Sequence, residues 1–279
     1  MKLHETVITS RQNPLVKWAA SLQDGKGRDA SRAFLCEGEK LSEEAVRARL
    51  PVTHVLIAQG QSERLLPRVR AWYADRSEED VELLVLADAA FEKVSCEKTP
   101  RGIITIIKYL DFFKDMDIIN KEAFFSLEGE RMLALCSVRD PGNLGSVIRS
   151  AVAFGVKHLL LSADCADVYS PKVVRSAMGT LFKVSLWRVG DIEGTVRAAR
   201  AAGRRVLAAE LREGALSLPE ACLGAEDIVI IGNEGHGIPE QLSHACDASV
   251  YIPIAPEAES LNAAVAAAVL MYAQREASM

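Results

Sequence analysis

The chain lacks any CxxC pair. Its six cysteines stand apart, at positions 36, 96, 136, 165, 222 and 246, and the five histidines do not cluster with them. Such spacing speaks against a structural zinc site and leaves buried, reduced thiols in a reducing compartment as the simplest reading. Long hydrophobic runs are missing too. The longest, Ala263 to Ala273, has 11 residues, about half of what a helix needs to cross a bilayer. The opening residues, MKLHETVITSRQ, are polar and hold no apolar signal core. The expectation is a cytoplasmic protein with no membrane partner.

Nor is there an excess of positive charge. The formal net charge is −5 over 279 residues, which argues weakly against a surface coated in nucleic acid. The distribution is uneven, however. Residues 1–32 hold six Lys/Arg (Lys2, Arg11, Lys17, Lys26, Arg28, Arg32) against three acids (Glu5, Asp24, Asp29). A local basic face of this kind can bind phosphates on an acidic protein; a solvated amino-terminal helix explains it equally well.

What is present is an alternation of strands and helices. FLCEG, THVLIAQ, VELLVLAD and GIITIIKYL read as strands, with helix-like LSEEAVRARL and SERLLPRVRAWYAD between them. This predicts a small α/β domain over residues 1–108. Ser42 and Ser62, each followed by glutamate, are expected at helix starts. Residues 109–129 carry no Pro or Ser/Gly tract and read as a linker with a short helix. Residues 130–279 restart with MLALCSV, the loop RDPGN, and a helix that Gly155 should stop. HLLLSAD, FKVSLWR, RRVLAAEL, IVIIG and SVYIPI follow as strands, with a last helix from about Ser260. The pattern predicts an α/β domain whose mainly parallel sheet has helices on both faces.

Ligands of parallel sheets bind outside the carboxyl ends of the strands, and three loops there are unusual: DPGNLGSVIRS, GNEGHGIPE and IPIAPEAESLN. GNEGHG makes a poor phosphate cradle. It has no Lys, Ser or Thr, Glu234 would repel an anion, and Pro239 removes a donor. A ligand with a cationic or uncharged polar portion fits it better. DPGNLG could open a dinucleotide fold, since Asp164 follows about 20 residues on. Leu144 and Val147 stand where the further glycines belong, which leaves that reading second. Arg149 lies about two turns into its helix, where a surface ion pair is the plain alternative to a functional role. Asn143 and Ser260 have a comparable alternative as helix caps. The alanine-rich SLNAAVAAAVLMYAQ permits ordinary packing on the sheet or a tight helix–helix contact across a dimer.

Taken together, NLGSVIRSAVAFGV, IVIIGNEGHGIPE and YIPIAPEAESLNAAVAAA resemble the three motifs of the SpoU (TrmH-like) family, RNA ribose 2′-O-methyltransferases of the SPOUT superfamily. The likeness spans most of residues 130–275, and SPKVVRSAMGTLF also resembles a family segment. SRQNPLVKWAASL, FLCEGEKLSEEA and TPRGIITII resemble the family's substrate-binding domain, which has an L30e/L7Ae-like fold. The resemblance implies a carboxy-terminal trefoil knot, S-adenosylmethionine as cofactor and no metal. It implies RNA as partner, ribosomal in preference to transfer RNA, and a homodimer through the carboxy-terminal domain whose site borrows residues from the partner chain. Carried over by motif, Gly232, Ile252 and Leu261 should contact the cofactor. Arg149 should steer the ribose–phosphate and help activate the hydroxyl. Asn143, Ser260 and Asn262 should position by hydrogen bonding, and Glu234 should organise its loop. RNA affinity is assigned to Arg11, Lys17, Lys26, Arg28 and Arg32. Two other readings stand beside this one: an RNA-binding or ribosome-assembly factor with a vestigial site, against which the intact motif residues argue, and an NAD-dependent oxidoreductase.

Overall fold

The computed structural model describes residues 1–4, 6–75, 80–111 and 113–277. The chain divides into two compact units, Met1–Leu110 with Asp167–Phe182, and Asp111–Ala166 with Lys183–Met279. In the first, strands β1 (Lys2–Leu3), β2 (Ala33–Glu37), β3 (Val52–Ala58), β4 (Glu82–Leu86) and β5 (Ile103–Lys108) form a mixed sheet in the order β1-β4-β3-β5-β2. β5 runs antiparallel to both of its neighbours. The helix Pro14–Ser21 starts where proline suits a first helical position and the Asn13 side chain accepts from the Leu15 amide. It buries Val16 and Ala19 in one core with Leu56, Leu84, Ile104, Ile106 and Phe91. Each such fully buried aliphatic side chain stabilises the fold by about 1.5–3 kcal/mol.

Of the two expected helix starts, the one at Ser62 holds and the one at Ser42 moves. The helix containing Ser42 begins earlier, at Glu39 after Gly38 (φ +110°), so Ser42 is an interior, buried residue rather than a cap. Ser62 is the first residue of its helix, with Gln61 at the cap position.

Arg28 is corrected from an RNA contact to a strut. It is only 4% exposed, and its guanidinium donates to the Leu22 and Gln23 carbonyls at 3.0 and 2.7 Å and to the Asp167 carboxylate at 3.0 Å. A buried guanidinium with four of its five donors spent inside the fold is not presented to a phosphate. Arg11 is partly committed as well, bonded to the Ala89 carbonyl and paired with Glu92, while Arg32 lies over the Tyr109 ring. Lys17 and Lys26 are exposed and make no hydrogen bond or ion pair among the described residues. Asp167 and Tyr169 belong to a stretch expected with the second half. They fold instead into the first unit, where Tyr169 stacks on Tyr109 at 4.1 Å and accepts from the Leu110 amide.

The second unit contains β6 (Phe113–Asp115), β7 (Met132–Leu135), β8 (His158–Ser162), β9 (Ser185–Val189), β10 (Val206–Ala209), β11 (Leu216–Ser217), β12 (Ile228–Ile231) and β13 (Ala248–Tyr251). Their order is β11-β13-β10-β12-β7-β8-β9-β6, and every pairing is parallel. The central strands are apolar at every position because both sheet faces are covered. Pro141–Phe154 packs against the terminal helix Ala263–Glu276, and Ile192–Ala201 packs against Lys121–Phe125 and Glu240–Ala245. Gly155 closes its helix in the left-handed conformation, φ +76°.

Residues 109–129 do contain a short helix, Lys121–Phe125, but the segment is not a linker. It supplies edge strand β6 and buries Met116, Phe124 and Phe125 in the core of the second unit. Its hydrophobic content is core content. Arg204, 5% exposed, holds the following turn by donating to the carbonyls of Phe125, Leu127, Glu130 and Glu226.

Removing the buried Arg28 guanidinium leaves the Leu22 and Gln23 carbonyls short of a donor, and a buried unsatisfied polar group is costly. Arg28→Gln should therefore lower stability by about 1–3 kcal/mol, whereas Lys17→Gln and Lys26→Gln should each stay within about 0.5 kcal/mol. Thermal and denaturant melts of the three variants check this.

Candidate functional site

Because the strands run one way, their carboxyl ends share an edge. Register aligns Val250 of β13 with Ala209 of β10, Ala209 with Ile231 of β12, and Ile231 with Leu135 of β7. The three motif loops leave from this row, together with a fourth after β10 that sequence reasoning treated as ordinary strand end.

A chain of hydrogen bonds ties the three motif loops. Asn143 Nδ2 donates to Glu234 Oε1 at 2.5 Å, and Asn262 Nδ2 donates to Asn143 Oδ1 at 2.9 Å. Asn262 caps the terminal helix, its Oδ1 accepting from the Ala264 and Val265 amides, so Ser260 is not the cap. Asp140, not Asn143, caps the helix Pro141–Phe154, which leaves the Asn143 side chain to bridge the two other loops. Arg149 lies on the same helix, exposed, and makes no hydrogen bond or ion pair among the described residues. The surface ion pair considered for it does not form.

The GNEGHG loop folds back on itself. Asn233 and Gly237 exchange backbone hydrogen bonds at 2.9 and 3.0 Å. Asn233 Oδ1 accepts from the Gly235 and His236 amides, while its Nδ2 donates to the Ser137 carbonyl at 2.8 Å. Asn233 is thus the residue that organises the loop, and Glu234 reaches out of it to Asn143. Asn233 was legible only as a generic turn former. Gly232 is explained by the same fold. A Cβ there would lie 2.6–2.7 Å from the Gly237 backbone and Ile238, so the close approach is to the loop's own return strand.

Beside the polar bridge is a cleft of about 450 Å³, an ordinary size for a small-molecule site. Ile252, Ser260 and Leu261 line it, as do Ala209, Glu210, Leu211, Ile254 and Glu259; Gly232 does not. Its walls are mostly apolar, it contains carboxylates but no Lys or Arg, and the Ser260 and Leu261 amides are unpaired among the described residues. That donor set suits a heterocycle and a cationic group and disfavours a polyphosphate. Ala209, Glu210 and Leu211 were missed; their position at the end of a parallel strand was the available signal.

Asp164, the acid that an NAD reading would place on a ribose, is already committed. It accepts from Ser137 Oγ, Arg139 Nη2 and Ser162 Oγ, each at 2.7 Å. Burial pushes its carboxyl up, but the hydrogen bonds from Arg139, Ser162 and Ser137 outweigh it and hold the group at about 2.

The SpoU rRNA Methylase family pattern matches residues 130–272. The chain belongs to this family. An MRM3-like substrate binding domain pattern matches residues 13–105. The chain is 31% identical to the 23S rRNA (guanosine(2553)-2′-O)-methyltransferase RlmP of Bacillus subtilis, over 95% of its own length and 97% of that protein. It is also 31% identical to the 23S rRNA (uridine(2479)-2′-O)-methyltransferase of Streptomyces viridochromogenes, covering 95% and 90%. The AdoMet-bound rRNA methyltransferase from Sinorhizobium meliloti superposes with a TM-score of 0.81 at 28% identity, over 97% of each chain. In this SpoU chain the polar bridge and the cleft bring together Asn143, Glu234, Asn262, Ile252, Ser260 and Leu261. Arg149, on the same helix as Asn143, belongs to neither. Among the described residues no helix is long and apolar enough to cross a membrane.

Gly232→Ala should lower stability by about 1–3 kcal/mol through overpacking of the loop; an unchanged melting curve would contradict the self-packed loop. Asp164, with its carboxyl held down at about 2, contributes stability that is full above the unfolded carboxyl range near 4 and is lost as pH falls through about 2. The stability difference between wild type and Asp164→Asn should therefore be constant above pH 5 and shrink on acidification, as read by denaturant titrations across that range.

Proposed function

We propose that this chain methylates a ribose 2′-hydroxyl of ribosomal RNA, using S-adenosylmethionine, in the cytoplasm. Supporting this are its membership of the SpoU family and its likeness along nearly the whole chain to two proteins named as 23S rRNA 2′-O-methyltransferases. The observation that carries it is the Asn262–Asn143–Glu234 bridge beside an apolar cleft free of cations.

S-adenosylmethionine, when bound, supplies a methyl group already activated by its sulfonium. In this reading Ile252 and Leu261 hold it in the cleft, and the unpaired Ser260 and Leu261 amides offer it donors. Glu234, one carboxylate oxygen held by Asn143, is a fixed negative charge that complements a cationic ligand. Arg149 is free to pair with the ribose–phosphate and to stabilise the charge that grows on the 2′-oxygen as its proton passes to solvent water. Holding the hydroxyl in line accounts for much of the remaining rate. The amino-terminal unit holds the RNA, with Lys17, Lys26, Arg11 and Arg32 as its phosphate contacts. Arg28 takes no part. Two such chains pair through the carboxy-terminal domain, where Val265 and Tyr272 of the terminal helix are half exposed, and the threaded knot of the family underlies the cofactor pocket.

Arg149→Ala should reduce methyl transfer to a 23S rRNA transcript by about 100-fold while S-adenosylmethionine affinity by calorimetry stays near wild type; near-normal turnover would remove the role of Arg149. Mapping 2′-O-methylation in cells with and without the gene should lose one position in ribosomal RNA. Loss from transfer RNA alone, or from neither, would overturn the substrate class. A vestigial binding factor would bind rRNA and leave both maps identical.

A further inference from the structure

Ser137 is one of few non-glycine residues with positive φ, at +58°, and it sits between β7 and the helix that carries Asn143 and Arg149. A left-handed backbone costs an L-residue about 1 kcal/mol or more, and it persists only where surroundings impose it. Here all three polar groups of the residue are pinned. Its amide donates to Ser162 Oγ at 2.8 Å, its hydroxyl donates to Asp164 Oδ2 at 2.7 Å, and its carbonyl accepts from Asn233 Nδ2 at 2.8 Å. Asp164 also receives the Ser162 hydroxyl on its other oxygen and Arg139 on the same one. A single carboxylate therefore anchors the turn 137–139 from three directions.

The turn matters through what leaves it. Two residues after Ser137, Arg139 leads into Asp140 and the helix bearing Asn143. The Ser137 carbonyl is at the same time the anchor for Asn233, whose other amide atom shapes the loop presenting Glu234. The 2.5 Å bond between Asn143 and Glu234 closes the circuit. Both partners of that bond are thus referred back to one left-handed residue and the acid behind it.

We infer that Asp164 is a positioning residue for the methyl-transfer site: it holds Ser137 in the left-handed turn and thereby sets Asn143 and Glu234 against each other. This rests on the reading of those residues as part of the reacting site. The carboxylate touches neither substrate nor cofactor in this account. Its effect is carried by backbone geometry, so it should be replaceable by any device that makes the turn favourable by itself. Glycine at 137 is such a device, since it adopts positive φ without the Cβ penalty.

The test is a cycle of Asp164→Asn, Ser137→Gly and the double variant. Asparagine retains one acceptor oxygen where the carboxylate has two, and it loses the charge facing Arg139. Asp164→Asn should lower kcat about 10- to 100-fold, as for sub-ångström misplacement of reacting groups, with little change in KM for S-adenosylmethionine. Ser137→Gly alone should stay near wild type, and the double variant should recover most of the lost kcat. The side-chain amide resonances of Asn143 give a readout independent of turnover: displaced in Asp164→Asn, restored in the double variant. A double variant as impaired as Asp164→Asn, or an Asp164→Asn enzyme with wild-type kcat, would overturn the inference. If Asp164→Asn does not fold, Ser162→Ala removes the hydroxyl between Asp164 and the Ser137 amide and should give the same loss and the same rescue. Should the wild-type protein methylate no RNA while the Asn143 resonances still respond as described, the functional reading fails and the geometric coupling stands.

Discussion

Everything at the site depends on the strands of the second unit running in one direction. A parallel sheet gathers the carboxyl ends of its strands on a single edge, and the register from Val250 through Ala209 and Ile231 to Leu135 makes that edge level across four strands. Loops that are far apart in the chain then leave the sheet at the same height. Asn143, Glu234 and Asn262 come from three of these loops, with 91 residues between the first two and 119 between the first and last. The apolar runs MLAL and IVII keep that register, because both sheet faces are buried and a slip would misplace every side chain.

The polar bridge also has a direction. The amides at the start of the terminal helix donate to Asn262, Asn262 donates to Asn143, and Asn143 donates to Glu234. Donors thus point at the carboxylate along the whole path, and the positive end of a helix reinforces them. Such an arrangement fixes the position of the Glu234 side chain between two loops that are distant in the chain. Glu234 argued against a phosphate when the loop was read by itself. Within the bridge it is the last acceptor in the chain of hydrogen bonds.

Much of this was legible in residue order alone. The alternation of strands and helices, the parallel sheet of the second half, the helix stop at Gly155 and the three motif loops all follow from local pattern, since periodicity and turn chemistry act over a few residues. Where the sequence reading went astray, the deciding contact was distant. Arg28 looked like part of a basic patch until its guanidinium met two carbonyls and Asp167, a residue 139 positions away. Residues 109–129 looked like a linker because a three-residue edge strand has too little pattern to detect, and its burial comes from β9 and the core around Phe124. Gly232 looked like a surface pressed against a ligand, and the surface it meets is its own loop.

The sequence by itself therefore determined the fold class and the order of strands, helices and glycine-rich loops, because each is written in short-range patterns of hydrophobicity, glycine and charge. Only the tertiary structure decided which of those residues face one another. It separated Arg28 from the other basic residues, put Asn262 rather than Ser260 at the helix cap, and gave loop organisation to Asn233. It also enlisted behind the bridge Ser137, which no motif singled out, and Asp164, which the sequence offered only as the acid of a dinucleotide motif. The physical reason is that hydrogen bonds between side chains are settled by distance in space, and the strand order β13-β10-β12-β7 that sets those distances comes from sheet pairing over the whole unit.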